Sequence, residues 1–249
     1  ICVLHDLMQV REDYPQTLTV GRLGGAAPVI EGDLSDPAWA LAGGMIAFTD
    51  GRNGPRAWAL PPSSFLLTYD EQNLYLGLKT LFPGRVPIKE GAPRDTGETD
   101  VWGTESFEFY LDVDGRQYRF AGNPAGGWCE SRDRDATFDG PWQYASNLSF
   151  RIDGRWHWQG ELRIPFASLG LTTPVAERDL RINFCRTWRC LDAIGLTSLQ
   201  TATMNYGKPE HFVTIRLAGN ADAVSTADSS DPSFGHFAQA VTVNSERGG

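Results

Sequence analysis

Turns set the terms on which this chain can fold. It carries 27 glycines and 15 prolines in 249 residues, and few long stretches lack one or the other. A glycine inside a helix costs about 1 kcal/mol and a proline about 3 kcal/mol, so a bundle of long helices is excluded. Between the turns lie short apolar runs, many alternating with period two, as in a strand with one face buried. The pattern predicts an all-β chain. It would be an antiparallel β-sandwich, layered like a jelly roll or an immunoglobulin domain, with long loops and only one-turn helices.

Phe65–Tyr69 and Leu74–Thr80 flank the polar turn Asp70-Glu71-Gln72-Asn73 and predict a hairpin. In Ser106–Asp112, Phe107, Phe109 and Leu111 share one face, while Ser106, Glu108 and Tyr110 share the other. Gln117–Asn123 follows the turn Asp112-Val113-Asp114-Gly115. Leu148–Ile152 and Trp156–Ile164 make a second hairpin, with Trp156, Trp158, Leu162 and Ile164 facing inward. Leu180–Thr187 alternates in the same way, and Phe212–Leu217 closes the series. One-turn helices are expected at Asp36–Ala42 and Phe166–Leu169. Residues 1–22 read as an extension or a leading strand, and 23–218 as the sandwich. Residues 219–249 read as a Ser/Asp/Ala/Gly-rich tail or linker whose stretch Phe234–Val243 is apolar enough to dock as a last strand.

Charge narrows the partners. Asp and Glu number 31 against 22 Lys and Arg, giving a net charge of -9. Such a chain repels phosphate backbones, which argues against nucleic acid. No apolar run approaches the ~18 residues of a membrane-spanning helix, so no membrane insertion is expected. Cys2, Cys129, Cys185 and Cys190 permit two disulfides, and Cys185 and Cys190 are spaced for a bridge across a tight hairpin. No charged and apolar leader precedes Ile1, so any secretion signal lies outside this sequence.

The usual catalytic signatures are missing: no Gly-x-Ser-x-Gly, His-Glu-x-x-His, P-loop or Gly-x-Gly-x-x-Gly occurs. The four histidines are not at metal-ligand spacing. A glycosidase needs two carboxyl groups about 5–9.5 Å apart. Glu105 and Glu108, three apart on one strand, would point to opposite faces about 10 Å apart and cannot serve. The expectation is therefore a protein that is not an enzyme. Asp112 and Asp114 could supply oxygens to calcium, although Asp with Gly is also ordinary turn chemistry. The segment Trp128–Trp142 alternates Arg132 and Arg134 with aspartates between two tryptophans. As a long loop it could bind vicinal hydroxyls through the charged groups and stack a sugar on an indole, or pair with itself over the sandwich.

Seven short motifs follow one another along the chain. They are Glu31-Gly32-Asp33-Leu34-Ser35-Asp36-Pro37-Ala38-Trp39, then Asp70-Glu71-Gln72-Asn73-Leu74-Tyr75, then Trp102-Gly103-Thr104-Glu105-Ser106-Phe107-Glu108. Phe120-Ala121-Gly122-Asn123-Pro124, Glu161-Leu162-Arg163-Ile164-Pro165-Phe166, Arg181-Ile182-Asn183-Phe184-Cys185-Arg186 and Pro209-Glu210-His211-Phe212 follow. Together they resemble the family 9 carbohydrate-binding modules over roughly Val29 to Leu217. The resemblance implies a β-sandwich that holds a terminal sugar between two tryptophans, with structural calcium in some members. It implies stacking by Trp102, hydroxyl binding by Glu108 and a polar contact from Asn123. Leu199 stands where the second stacking tryptophan is expected, and Ala121 where an arginine is expected. Trp188, Tyr206, Trp128 or Trp142 would have to replace the missing ring. The function this implies is non-catalytic binding of an oligo- or polysaccharide in a secreted, periplasmic or cell-surface polysaccharide-degrading system, including fusion to other domains. No cofactor is implied beyond structural calcium. The alternatives are a sandwich that mediates interactions without binding sugar, and a haem-binding relative using Met204, Lys208 or a histidine.

Overall fold

A computed structural model describes residues 17–46, 49–50, 63–82, 101, 105–150, 156–172, 174–190, 193–198 and 206–219. Among them run thirteen strands. In chain order these are β1 (Thr17–Val20), β2 (Gly43–Ile46), β3 (Thr49–Asp50), β4 (Ser63–Tyr69), β5 (Asn73–Phe82), β6 (Ser106–Val113) and β7 (Arg116–Gly122). Then come β8 (Trp128–Arg132), β9 (Gln143–Phe150), β10 (Trp156–Pro165), β11 (Asp179–Cys190), β12 (Ala193–Ser198) and β13 (Val213–Leu217). The helices are single 3-10 turns at Pro37–Leu41, Phe166–Leu169 and Pro209–His211. None of the described helices is long and apolar enough to cross a membrane.

The strands form the two layers of a sandwich. The larger sheet runs β1-β13-β11-β6-β7-β8, with β12 and β3 continuing from β11; the smaller runs β2-β4-β5-β10-β9. Every pair is antiparallel except β1 with β13, which run parallel with Thr17 opposite Thr214 and Val20 opposite Leu217. The stretch up to residue 22 thus supplies a leading strand: Leu18 and Val20 are core residues.

The core is the alternation made solid. Phe107, Phe109 and Leu111 of β6 and Ile182 and Phe184 of β11 meet Leu74, Leu76 and Leu78 of β5 and Leu162 and Ile164 of β10. Aromatic rings tie the layers together: Phe184 stacks on Phe65 at 5.1 Å and on Phe107 at 5.7 Å. The strands of both expected hairpins pair antiparallel, β4 with β5 and β9 with β10, and chemistry explains the turn of the first. Asp70 Oδ1 accepts from the backbone N–H groups of Gln72 and Asn73, and its Oδ2 accepts from the Tyr75 hydroxyl.

The smaller sheet is covered on its outer face by the leading segment. Glu161 lies there on β10 and accepts from Glu31 N, Gly32 N and Trp39 Nε1 at 2.7–2.9 Å. Gly77, beside it on β5, makes room: a Cβ would fall 2.7 Å from Leu34 and 3.2 Å from the Trp39 ring. Trp39 is thereby buried.

Three expectations are corrected. Trp156 shares the parity of Trp158 but sits at the first position of β10, past the end of the core, and is 42% exposed where Trp158 is 0%. Cys185 is a buried free thiol, so it makes no bridge to Cys190, which lies further along the same strand. Trp128–Trp142 is not one long loop: its first five residues are β8, paired along β7.

Candidate functional site

Strand register places the sequence's candidates on particular faces. On β6, Glu108 lies opposite Cys185 of β11 and Ala121 of β7, and Ala121 lies opposite Cys129 of β8. These four form one row across the outer face of the larger sheet, with the core beneath them. Two positions along, a second row runs Asn183, Tyr110, Arg119, Ser131.

Both ends of the first row are covered. Val101 packs on Ala121 and Cys129. On the other side Tyr206 and Phe212 pack on Tyr110 and Cys185, and Asn183 Nδ2 holds this cover by donating to the Tyr206 carbonyl at 3.0 Å. Glu108 lies half-buried between the two covers. The Tyr110 hydroxyl donates to its Oε2 at 2.5 Å, and among the described residues Oε1 has no hydrogen-bond partner.

The electrostatics follow from this placement. Burial raises the Glu108 carboxyl to about 7, against the opposing pull of the Tyr110 hydrogen bond. Burial and the neighbouring Glu108 carboxyl raise the Tyr110 hydroxyl beyond its usual range, so it remains a donor. Burial also raises the Cys129 thiol to about 11 and lifts Cys185 well above the ordinary thiol range, which keeps both unreactive.

The same outer side carries further polar atoms that the fold leaves unsatisfied. Ser106 Oγ, Asn123 Nδ2 and Asn183 Oδ1 are buried without a hydrogen-bond partner. Each such atom costs about 1–3 kcal/mol unless a water or a ligand hydroxyl meets it.

The structure brings only some of the expected residues to this place. Glu108 is there, and Tyr206 reaches it through Tyr110. Asn123 borders it but is mostly spent on a turn, its Oδ1 accepting from Ala125 N and Gly127 N. Trp102 and Leu199 lie outside the described residues, as do Met204, Cys2 and the tail 220–249. Trp188 is described only as a backbone position of β11, opposite Gly195.

Trp128, Arg132, Arg134 and Trp142 belong elsewhere. Trp142 is a core residue, 4% exposed, with its ring edge-on to Trp128 at 4.8 Å and to Phe120 at 5.0 Å. Gly140 N donates to Glu130 Oε1, which draws the returning chain onto β8 and carries Trp142 inward. Arg132 lies 4.9 Å over the Phe138 ring. Arg134 is exposed in a turn whose Asp133 and Arg134 both take positive φ. Asp133 and Asp135 are used within that turn, by Gln117 N and Thr137 respectively. The charges of this segment bond to nearby backbone, hydroxyl and ring, and Asp133 also lies 3.7 Å from Arg116 of β7.

Asp112 and Asp114 do not fit a calcium site. Asp112 Oδ1 accepts from Gly115 N, Asp114 pairs with Arg178, and no cluster of three potential ligands occurs among the described residues. Lys208, the described member of the haem proposal, pairs with Glu210 at 3.6 Å.

Sequence reasoning missed Tyr110, Arg119, Cys185 and Val101. Tyr110 was legible from its shared parity with Glu108. The others needed the strand register and the long-range return of the chain.

No family model matches the chain, and no curated protein does. Solved structures do match. A Bacteroides uniformis protein provisionally described as carbohydrate-binding is 17% identical, with a TM-score of 0.64; the match covers 81% of this chain and 98% of that one. A carbohydrate-binding module of family 9 from Caldicellulosiruptor kristjanssonii, in complex with glucose, is 17% identical with a TM-score of 0.56, covering 84% and 99%. A family 9 module from the same organism, in complex with cellotriose, is 16% identical with a TM-score of 0.55, covering 85% and 99%. These likenesses establish the fold as a β-sandwich of the family 9 kind.

Proposed function

We propose that the outer face of the larger sheet around Glu108 binds a carbohydrate and does no chemistry on it. The observation that carries this reading is the state of one carboxyl group: Tyr110 fixes the direction of Glu108 through Oε2, and no described residue bonds to Oε1. A carboxylate held this way accepts from ligand hydroxyls, and hydrogen bonds to a charged group contribute about 1.5–3 kcal/mol. The unsatisfied Ser106, Asn123 and Asn183 atoms favour a ligand rich in donors and acceptors. Modules of the same fold solved with glucose and with cellotriose support a sugar as that ligand. Binding without catalysis is favoured because Asp112, the next carboxylate on this face of β6, is four residues from Glu108. That is about 13 Å, beyond the reach of a glycosidase pair. A binding module of this kind suits a secreted or cell-surface system that degrades polysaccharide.

Calorimetric titration with glucose, cellotriose and a wider glycan panel tests the reading. Wild-type protein is expected to bind at least one sugar class, and Glu108→Gln to bind it about tenfold more weakly. Trp102→Ala run beside it tests the stacking role. Absence of binding across the panel sinks the reading, and equal binding by Glu108→Gln removes this face from the site.

A second reading, an interaction sandwich without sugar binding, is favoured by one observation. Val101 packs on Ala121 and Cys129 and covers that part of the face. The same titration separates the two.

A further inference from the structure

The core of the sandwich contains one feature that the binding face does not explain. Arg186 of β11 is fully buried and points between the sheets, on the opposite side of the strand from Cys185. Its Nη2 donates to Glu105, which immediately precedes β6, and the two form a buried ion pair. Its Nη1 donates to Ser63 of β4, at 2.7 Å, and to Thr80 of β5. Ser63 and Thr80 are themselves hydrogen-bonded at 3.0 Å. One guanidinium therefore joins both sheets to the start of β6.

Stability alone is a poor reason for this arrangement. Dehydrating two charges costs several kcal/mol, and an apolar pair of similar volume often holds a core as well or better. An apolar pair lacks direction, however. A guanidinium bonded on three sides fixes where its partners lie, and the partner here is the stretch that leads into the candidate site. Glu105 is four residues after Val101, the residue that covers Ala121 and Cys129, and three before Glu108. Arg186 lies opposite Phe107, one step from the Cys185–Glu108 pair.

We propose that Glu105 and Arg186 are positioning residues for the binding face: their ion pair fixes Glu105 at the entry to β6, and with it the placement of Val101 on Ala121 and Cys129 and of Glu108 three residues on. The consequence for ligand binding rests on the carbohydrate reading, whereas the consequence for Val101 does not.

The two thiols of the row serve as reporters. Cys129 lies under Val101, and Cys185 lies under Tyr206 and Phe212, away from that cover. Full-length wild type, Glu105→Gln and the apolar double variant Glu105→Leu with Arg186→Met are labelled with iodoacetamide under native conditions. Peptide mass spectrometry reads each cysteine separately. If the pair positions Val101, Cys129 is labelled about tenfold faster in either folded variant while Cys185 keeps its wild-type rate, the mark of a local opening. Unchanged protection of Cys129 in a folded variant overturns the proposal. So does unfolding of both variants with both thiols exposed together, because the pair would then fasten the whole domain and not this segment. Cellotriose titration of the same variants should show about a tenfold loss of affinity in those that open. A wild type that does not bind cellotriose would count against the carbohydrate reading only, since the thiol rates still decide the role of the pair.

Discussion

Two glutamates sit on the two outer faces of this sandwich, and their surroundings differ in one countable respect. Glu161, on the smaller sheet, accepts three hydrogen bonds, from Glu31 N, Gly32 N and Trp39 Nε1. Glu108, on the larger sheet, accepts one, from Tyr110. Burial raises the carboxyl of each. Glu161 is saturated by its own chain and works as a latch for the leading segment. Glu108 is oriented but unsaturated, and that is how a group kept for an outside partner looks. Burial and a shifted carboxyl therefore do not separate a structural role from a binding role; the number of internal donors does.

The comparison breaks most visibly at the latch. Glu161→Ala strands three donors, one of them the buried Trp39 indole, and is expected to cost about 3–4 kcal/mol in urea denaturation. A loss below about 1 kcal/mol would mean that water replaces the carboxylate and that the latch reading is wrong. Gly77→Ala strikes the same latch from the side. Its Cβ would collide with Leu34 and crowd Trp39, so a loss of about 1–3 kcal/mol is expected, without effect on the opposite face around Glu108.

A third expected effect distinguishes Glu108. Its carboxyl is raised from 4.5 to about 7, so the folded chain holds this proton more tightly than the unfolded chain does. The resulting stability is complete below about pH 4.5 and is lost as pH rises through about 7. The thermal midpoint of wild type should fall over that window relative to Glu108→Gln, which has no proton to lose. Parallel midpoints in the two proteins would show that Glu108 is better solvated than its surroundings suggest.

The sequence was most informative where chemistry is local. Asp70 bonds to its own turn, Phe107, Phe109 and Leu111 alternate with Glu108 and Tyr110, and those patterns need only neighbours in the chain. It misled where a residue's environment is set from far away. Trp142 looks like a loop aromatic until Gly140 bonds to Glu130, and Trp156 looks like Trp158 until the core ends beneath it. Nothing local marks Arg186 as a core residue; its environment is set when Ser63, Thr80 and Glu105 converge on it from three other segments. The same holds for Ala121. The sequence reports a missing arginine, and only the fold reveals that Val101 occupies the space.

The parallel pairing of β1 with β13 has a mechanical consequence. The first described strand and the last lie side by side and run the same way, so a pull on the chain before Thr17 and after Leu217 acts along both strands in opposite senses. That is shear: the hydrogen bonds between them are loaded together, whereas a hairpin pulled from its open end gives way one bond at a time. The Tyr69 hydroxyl, bonded to the Ala218 carbonyl, and Ala218 N, bonded to the Val20 carbonyl at 2.9 Å, add cross-ties at the point where the load enters. A domain tethered at both ends and gripping an immobile ligand would resist tension along the axis on which its own tethers apply it.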